Sequence, residues 1–535
     1  MTKNSKKKSK FWQPSFYYKL NLLFLGFVFL LNYFGILESE LLQYLVVILV
    51  FITCFLSIEL GLIALFFTQS LDLIQFVELR LYQWLIVGLI IALLVRFIQT
   101  KIIQSGKKQK QANLFKALLV RLFILYKSSP TFFWLLVFLL IGSLIGLSGS
   151  PVLAFSVKQT LVLGLVLLAS YLVYYWVRVK RFGADDLLEA FIWSSVPVGL
   201  YSIFQNIAHE FNFKSLEVMP ARPNAGFYEP DWLGIYTALV LVICLFKLTQ
   251  MQLKQADNET IKPTWLLNRL NLFLISFLNF IVLIISVARA SWVGLIAAVL
   301  GIWFFVSLGW ALKKISISKL RRLGQAMGLF LLSFAVAFAT VVVLKLSRFN
   351  LTDRALSIYT QEHIITKARK GDHVVKIDLE EIEHYQRRGY EIFETKIQDE
   401  NIEARQQAFS TNWELTKKHW LAGQGQGSTL SQRGYLHNAN NIFYEWLIAA
   451  GITGLAAFLL LLALPILSLL RVFFRRGQIN SSIILNYILF IGALSVVIIT
   501  NLFNSGIFFL PIWLTVGLIW GIKVNLDRSD STQSI

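Results

Sequence analysis

Charged residues are scarce in this chain, and that scarcity excludes more than any motif does. Only 15% of its 535 residues are Asp, Glu, Lys or Arg, against 56% that are hydrophobic. A soluble globular chain carries about 25% charged residues, so a soluble domain with an enlarged core is excluded. Cysteine is nearly absent too. Cys54 and Cys244 both sit inside apolar blocks, with no CxxC neighbour and no nearby histidine, so they make no metal site and read as small buried hydrophobes. Alternation of apolar and polar residues is missing from the long apolar blocks, which excludes the strands of an outer-membrane barrel.

What is present is a series of apolar blocks on the scale of the about 20 residues that cross a bilayer. They lie near 18–37, 41–76, 81–99, 131–148, 157–177, 186–206, 231–249, 267–288, 290–310, 325–346, 440–470, 482–502 and 506–524. In hydrocarbon each backbone polar group must be satisfied within its own segment, so the blocks predict helices. The block at 41–76 reads as one span or, preferably, as a hairpin turning near Ser57-Ile58-Glu59, which puts Lys3 to Lys10 and Lys101 to Lys110 on the same side. The hairpin gives about 14 spans, and the whole range is about 12–14. No internal repeat is visible.

The formal charge of +20 is concentrated in short connections: Lys3 to Lys10, Lys101 to Lys110, Arg178 to Arg181, Lys313 to Arg322 and Arg471 to Arg476. That is the positive-inside pattern, not a nucleic-acid surface. It predicts a multi-pass protein of the cytoplasmic (inner) membrane with both termini inside and an uncleaved first span. The segment Asn113 to Lys127, interrupted by Lys116 and Arg121, reads as a helix lying in the interface.

One connection is unlike the rest. From Ser347 to about Leu436 the chain turns polar, and a loop of about 90 residues is usually functional. Helical spacing over Glu380 to Lys396 and Asn401 to His419 predicts a helical cap on the extracytoplasmic face. The expected organisation is therefore an N-terminal bundle (1–346), a large extracytoplasmic loop (347–438), C-terminal spans (439–526) and a short disordered tail (527–535).

Arginines at a membrane boundary are costly unless something uses them. Arg222 lies in the second outer loop, Arg289 in a tight turn between two spans, and Arg405 and Arg433 flank His419 in the long loop. Two readings stay open for each: snorkelling to headgroups, or converging as forked donors on a diphosphate.

The order Arg222…Glu229-Pro230, Arg289-Ala-Ser-Trp292, a large outer loop, Arg405…His419-Trp-Leu-Ala-Gly423-Gln-Gly425-Gln-Gly427, then Asn440-Asn441…Gly451-Ile-Thr-Gly454-Leu455 resembles the O-antigen ligase and polysaccharide polymerase superfamily. The resemblance covers about residues 200 to 460 and implies a GT-C-like all-α membrane bundle. It departs from the family at Trp420, where proline is usual, at Asn440, where the motif histidine is usual, and at Ala449, where glutamate is frequent. His437 stands one turn earlier and shares a helical face with Asn441, Tyr444 and Ile448. It is either the replacement histidine or, with Asn438 and Asn440, a helix cap.

The resemblance implies metal-independent, cofactor-free inverting glycosyl transfer from an undecaprenyl diphosphate carrier. The polymerase reading is preferred over the ligase, because the usual His-Asn pair is displaced. His437 would be the acceptor base, with Glu229 second, and Arg289 would stabilise leaving charge. Arg222, Arg405, His419, Gly423, Gly425, Arg433, Asn441 and Tyr444 would bind substrate. Tandem glycines let backbone approach a sugar or phosphate, or simply serve a loop. Implied partners are the lipid-linked oligosaccharide, membrane lipids and an envelope-assembly protein such as a chain-length regulator, with no nucleic acid. A secondary anion transporter is the alternative from another class; the large outer loop and the few acidic residues in its spans count against it.

Overall fold

The computed structural model describes residues 14–33, 39–105, 130–179, 184–211, 213, 215, 217–219, 222–256, 268–347, 362–370, 373–376, 386, 390–398, 410, 412–414, 416–428, 441–474 and 481–531. Among these, fourteen α-helices form a polytopic membrane bundle. They are α1 (Pro14–Tyr33), α2 (Glu40–Leu56), α3 (Ile58–Thr68), α4 (Leu81–Ser105), α5 (Pro130–Gly146), α6 (Leu153–Val179), α7 (Ala184–Glu210), α8 (Pro230–Ala256), α9 (Arg269–Ile285), α10 (Arg289–Ala311), α11 (Ile317–Val343), α12 (Ile442–Phe474), α13 (Ser481–Thr500) and α14 (Leu510–Ser531). Eight are long and apolar enough to cross a membrane, and the other six are shorter apolar helices. The interfacial helix expected at Asn113 to Lys127 lies outside the described residues.

The block at 41–76 folds back on itself at Ser57. That residue is extended (φ −155, ψ 130), and its Oγ caps α3 by accepting from Leu60 N at 3.3 Å. A Cβ added at Gly61 would lie 3.1 Å from Cys54 Sγ, a separation only an antiparallel pair allows. Arg96 of α4 closes the turn by donating to the last carbonyls of α2, Phe55 O and Leu56 O. A cation at a helix C-terminus is well placed for the macrodipole.

α3 has 11 residues, about 16 Å at the helical rise, roughly half of a hydrocarbon core. The chain therefore leaves helical structure early, within the bundle, and returns through a two-stranded hairpin, β1 (Gln75–Phe76) and β2 (Leu79–Arg80). Val77 (φ 48) and Glu78 (φ 66) form its left-handed turn. Non-helical backbone at this depth is tolerated only where protein satisfies it, and the partner here is the connection before α8. Leu73 N donates to Gly226 O at 2.9 Å.

α8 is the central element, and its span is wholly buried. α10 packs along α13, α5 along α12 and α6 along α14. Successive helices alternate in direction. The connection before α8, the α9–α10 turn, the α13–α14 turn and the start of α12 thus share one end of the bundle. Arg178, Lys313 and Arg471 lie towards the other.

Two expectations are corrected. The large connection carries a three-stranded antiparallel sheet, ordered β4 (His373–Lys376), β3 (Glu362–Lys370), β5 (Glu391–Gln398). Its register pairs Ile365 with Thr395 and Lys367 with Phe393, so the helix expected over Glu380 to Lys396 is a strand in its last third. Ile364, Ile365 and Thr366 on β3 and Phe393, Thr395 and Ile397 on β5 are β-branched or aromatic and favour a pleated surface; the charges between them imitate helical spacing. Within the second predicted helix, residues 412–414 and 416–419 are helical as expected. The tail expected from Asp527 is helical as far as Ser531, since neither Gly nor Pro interrupts it.

Candidate functional site

The α9–α10 turn is the first part of the site. Val287 is held in the left-handed region (φ 53), a strain of about 1–3 kcal/mol that surrounding structure must impose. Trp292 imposes part of it from α10, its Nε1 donating across the turn to Leu283 O at 2.9 Å. Arg289 becomes the first residue of α10, and the N-cap Ala288 supplies no side-chain cap, its carbonyl instead accepting from Ser291 N and Trp292 N. A guanidinium beside the positive end of a helix is unfavourable alone and favourable once an anion sits there.

Arg222 reaches this turn from the connection before α8. Its Nε donates to Ser286 O at 3.1 Å, its Nη1 to Met219 Sδ at 3.6 Å, and its Nη2 pairs with Asp231 Oδ1 at 2.8 Å. All three of its nitrogens are therefore engaged. Asp231 stands in the first turn of α8. Glu229 starts that helix, its carbonyl accepting from Trp232 N and Leu233 N.

The stretch between Arg222 and Glu229 is buried and fully clasped. On one side Gln205 of α7 accepts from Asn224 N (3.0 Å) and Ala225 N (2.7 Å) and donates to Asn224 Oδ1 (3.2 Å). On the other, Gly226 (φ 87) lies so close to the segment that leads into the hairpin that a Cβ there would be 2.5 Å from Ser70 O. Phe227 meets Phe509 edge-on and Trp232 packs on it at a tilt, fastening the stretch to the α13–α14 turn.

Beneath it sits an ion pair absent from the sequence reading. Asp72 Oδ1 meets Arg80 Nη1 at 2.7 Å, and the same Nη1 donates to Tyr82 Oη at 3.1 Å. Asp72 is buried and also accepts from the Tyr228 backbone N–H, which ties the pair to the connection before α8. The polar run Thr68-Gln-Ser-Leu-Asp72 inside an apolar block was the available signal. Nothing in the chain's local pattern announces that Gln205, Asn224 and Asp231 belong together.

The glycine run is engaged differently. α12 breaks at Gly451 (φ 63, ψ −164), and residues 420–425 fill the break. Gln424 N donates to Ile448 O (2.7 Å), Gly425 N to Ala449 O (3.0 Å), and Ile452 N to Trp420 O (2.9 Å). A Cβ at Gly423 (φ 80) would lie 2.5 Å from Ala449 O. The close approach that Gly423 permits is thus to α12 itself, while a Cβ at Gly425 (φ 82) would meet Ser156 of α6 at 3.0 Å.

Asn441 caps α12. Its Oδ1 accepts from Phe443 N and Tyr444 N, and its Nδ2 donates to Leu502 O. Ile442 N bonds Asn501 O, so α12 starts against the α13–α14 turn that also carries Phe509. Tyr444 stacks on Trp413 and is hydrogen-bonded to Thr416. His419 accepts from Gly423 N through its carbonyl. Arg405, Arg433 and His437 lie outside the described residues.

Fold and site together define a multi-pass membrane protein with a polar, arginine-bearing site at one end of its bundle. Compared with known proteins, a family model described as O-antigen ligase matches residues 274–459, so the chain resembles the O-antigen ligase superfamily. The match runs from α9 through the break in α12; it includes Arg289, the glycine run, Asn441 and Tyr444, and stops short of Arg222. No curated protein and no solved structure matches the chain.

Proposed function

We propose that the protein is a glycosyltransferase that moves glycan from an undecaprenyl diphosphate carrier at the outer face of the cytoplasmic membrane, most simply as a polysaccharide polymerase. The observation carrying this reading is the junction of Arg222 with the Arg289 turn, at 3.1 Å from Nε to Ser286 O, within and beside the matched residues. In the reaction, an acceptor hydroxyl oxygen bonds to the anomeric carbon while the bond from that carbon to the diphosphate breaks. The configuration inverts, the bonding pair leaves with the diphosphate, and the hydroxyl proton passes to a base.

Arg289, at the positive end of α10, would bear the leaving charge, where fixed cations are most effective. Arg222 would hold the turn in place and contribute its charge when Asp231 yields to the anion. His437 would take the proton, just before the capped start of α12, with Glu229 as second candidate. The displaced histidine favours a polymerase, whose acceptor is another lipid-linked repeat, over transfer to a lipid core; the ligase is the second reading of the same features. In a reconstituted system fed with lipid-linked sugar, Arg289→Ala should weaken donor binding and lower the rate together. Polymer made at wild-type amount and length by Arg289→Ala would remove this reading.

A further inference from the structure

We infer that Arg80 is a further anion-binding residue of the same site, with Asp72 and Tyr82 as the groups that aim it. This rests on the glycosyltransferase reading and names a contact for the diphosphate of its substrate.

Arg222, in the connection before α8, and Arg80, in the hairpin beside it, are used in opposite ways. Arg222 has all three nitrogens engaged. Arg80 is held by one nitrogen alone among the described residues: Nη1 serves both Asp72 and Tyr82. Nε and Nη2 form the side edge of the guanidinium, where two N–H bonds lie parallel and fit two oxygens of one phosphate. The arginine side chain is 23% exposed while its partner carboxylate is 5% exposed. The remaining exposure thus belongs to the arginine and not to the carboxylate that anchors it.

Position agrees with this. Arg80 ends β2, at the turn into α4, and the same hairpin is bonded to Gly226 through Leu73. Tyr228, one residue before Glu229, lies within electrostatic reach of the guanidinium. The segment leading to Arg80 and the turn that carries Arg289 thus both bond to the connection that carries Arg222. A cation in apolar surroundings is expensive, and a lysine here would satisfy Asp72 equally well as a charge. Only a guanidinium satisfies Asp72 and still presents a second fork.

The test uses the purified full chain in detergent, with farnesyl diphosphate and farnesyl monophosphate as probes. Arg80→Ala should weaken diphosphate binding by about tenfold or more, the size of a lost charge-assisted pair, and should erase the preference for diphosphate over monophosphate. A merely structural role would not move that preference. Arg80→Lys, which keeps the charge beside Asp72 and lacks the fork, should lose the preference as well, and it decides the matter if the alanine variant fails to fold. Wild-type affinity and preference in Arg80→Lys and in any folded Arg80→Ala, with binding weakened in Arg289→Ala, would overturn the role of Arg80 and leave the glycosyltransferase reading standing. Absence of diphosphate binding by the wild type, or no effect of Arg289→Ala, would overturn both.

Discussion

The connection before α8 and the glycine run that enters α12 are both non-helical chain pressed into the same end of a membrane bundle, and both are sewn down by hydrogen bonds. They differ in what supplies those bonds. In the glycine run, backbone pairs with the backbone of α12, so its residues are consumed in holding the helix open. In the connection before α8, one neutral side chain, Gln205, does much of that work from outside. The arginines of and around that segment pair with the side chains of Asp231 and Asp72. Polar chain buried at membrane depth must be satisfied in either case; only the second solution leaves chemistry over.

The comparison predicts different kinds of failure. The largest effect belongs to the glycine run. Gly423→Ala forces a methyl to within 2.5 Å of Ala449 O at φ 80, and nothing flexible can give way. It should cost more than about 4 kcal/mol and remove folded protein, measured as monodisperse yield after detergent extraction. Normal yield and normal thermal stability would mean that the run does not brace α12.

Next comes His437→Ala. If the capped start of α12 presents an acceptor base, turnover should fall by about 10²–10⁴-fold with donor binding little changed. Polymer formed at the wild-type rate would reduce His437 to part of the cap and move the base to Glu229.

In the connection before α8, Gln205→Leu removes the acceptor of two buried backbone N–H groups. Leaving them unpaired should cost about 2–5 kcal/mol, and donor affinity should fall with stability because Arg222 loses its footing. Unchanged thermal stability would show that the clasp carries no weight.

How far the sequence reveals all this follows from the range of each interaction. The bundle, the fold-back at Ser57 and the turn before Arg289 are written in local apolar runs and their interruptions. The glycine run is visible, yet its partner, the α12 break, lies over 20 residues away in the chain, so its target was open between α12 and a substrate. The strand at Glu391–Gln398 hides because it pairs with residues about thirty positions earlier, and its charges fit helical spacing equally well. Gln205 with Asn224, and Asp72 with the Tyr228 stretch, are tertiary pairings of neutral or isolated polar residues that no periodicity encodes.

The smallest expected effect tests the electrostatics of the second region directly. Asp231→Asn keeps the shape and the acceptor oxygen that meets Arg222 Nη2 at 2.8 Å and removes only the charge. Both side chains are partly exposed, at 20% and 31%, so solvent screens the pair and its worth is on the order of 0.5–1 kcal/mol. An incoming diphosphate competes with the carboxylate for the guanidinium. Removing the carboxylate should therefore tighten farnesyl diphosphate binding by about two- to fivefold and make that binding more sensitive to salt. Weaker binding in Asp231→Asn would mean the opposite division of labour: the carboxylate would be needed to hold Arg222 against Ser286, and Arg222 would serve the site by bracing the Arg289 turn instead of lending its charge.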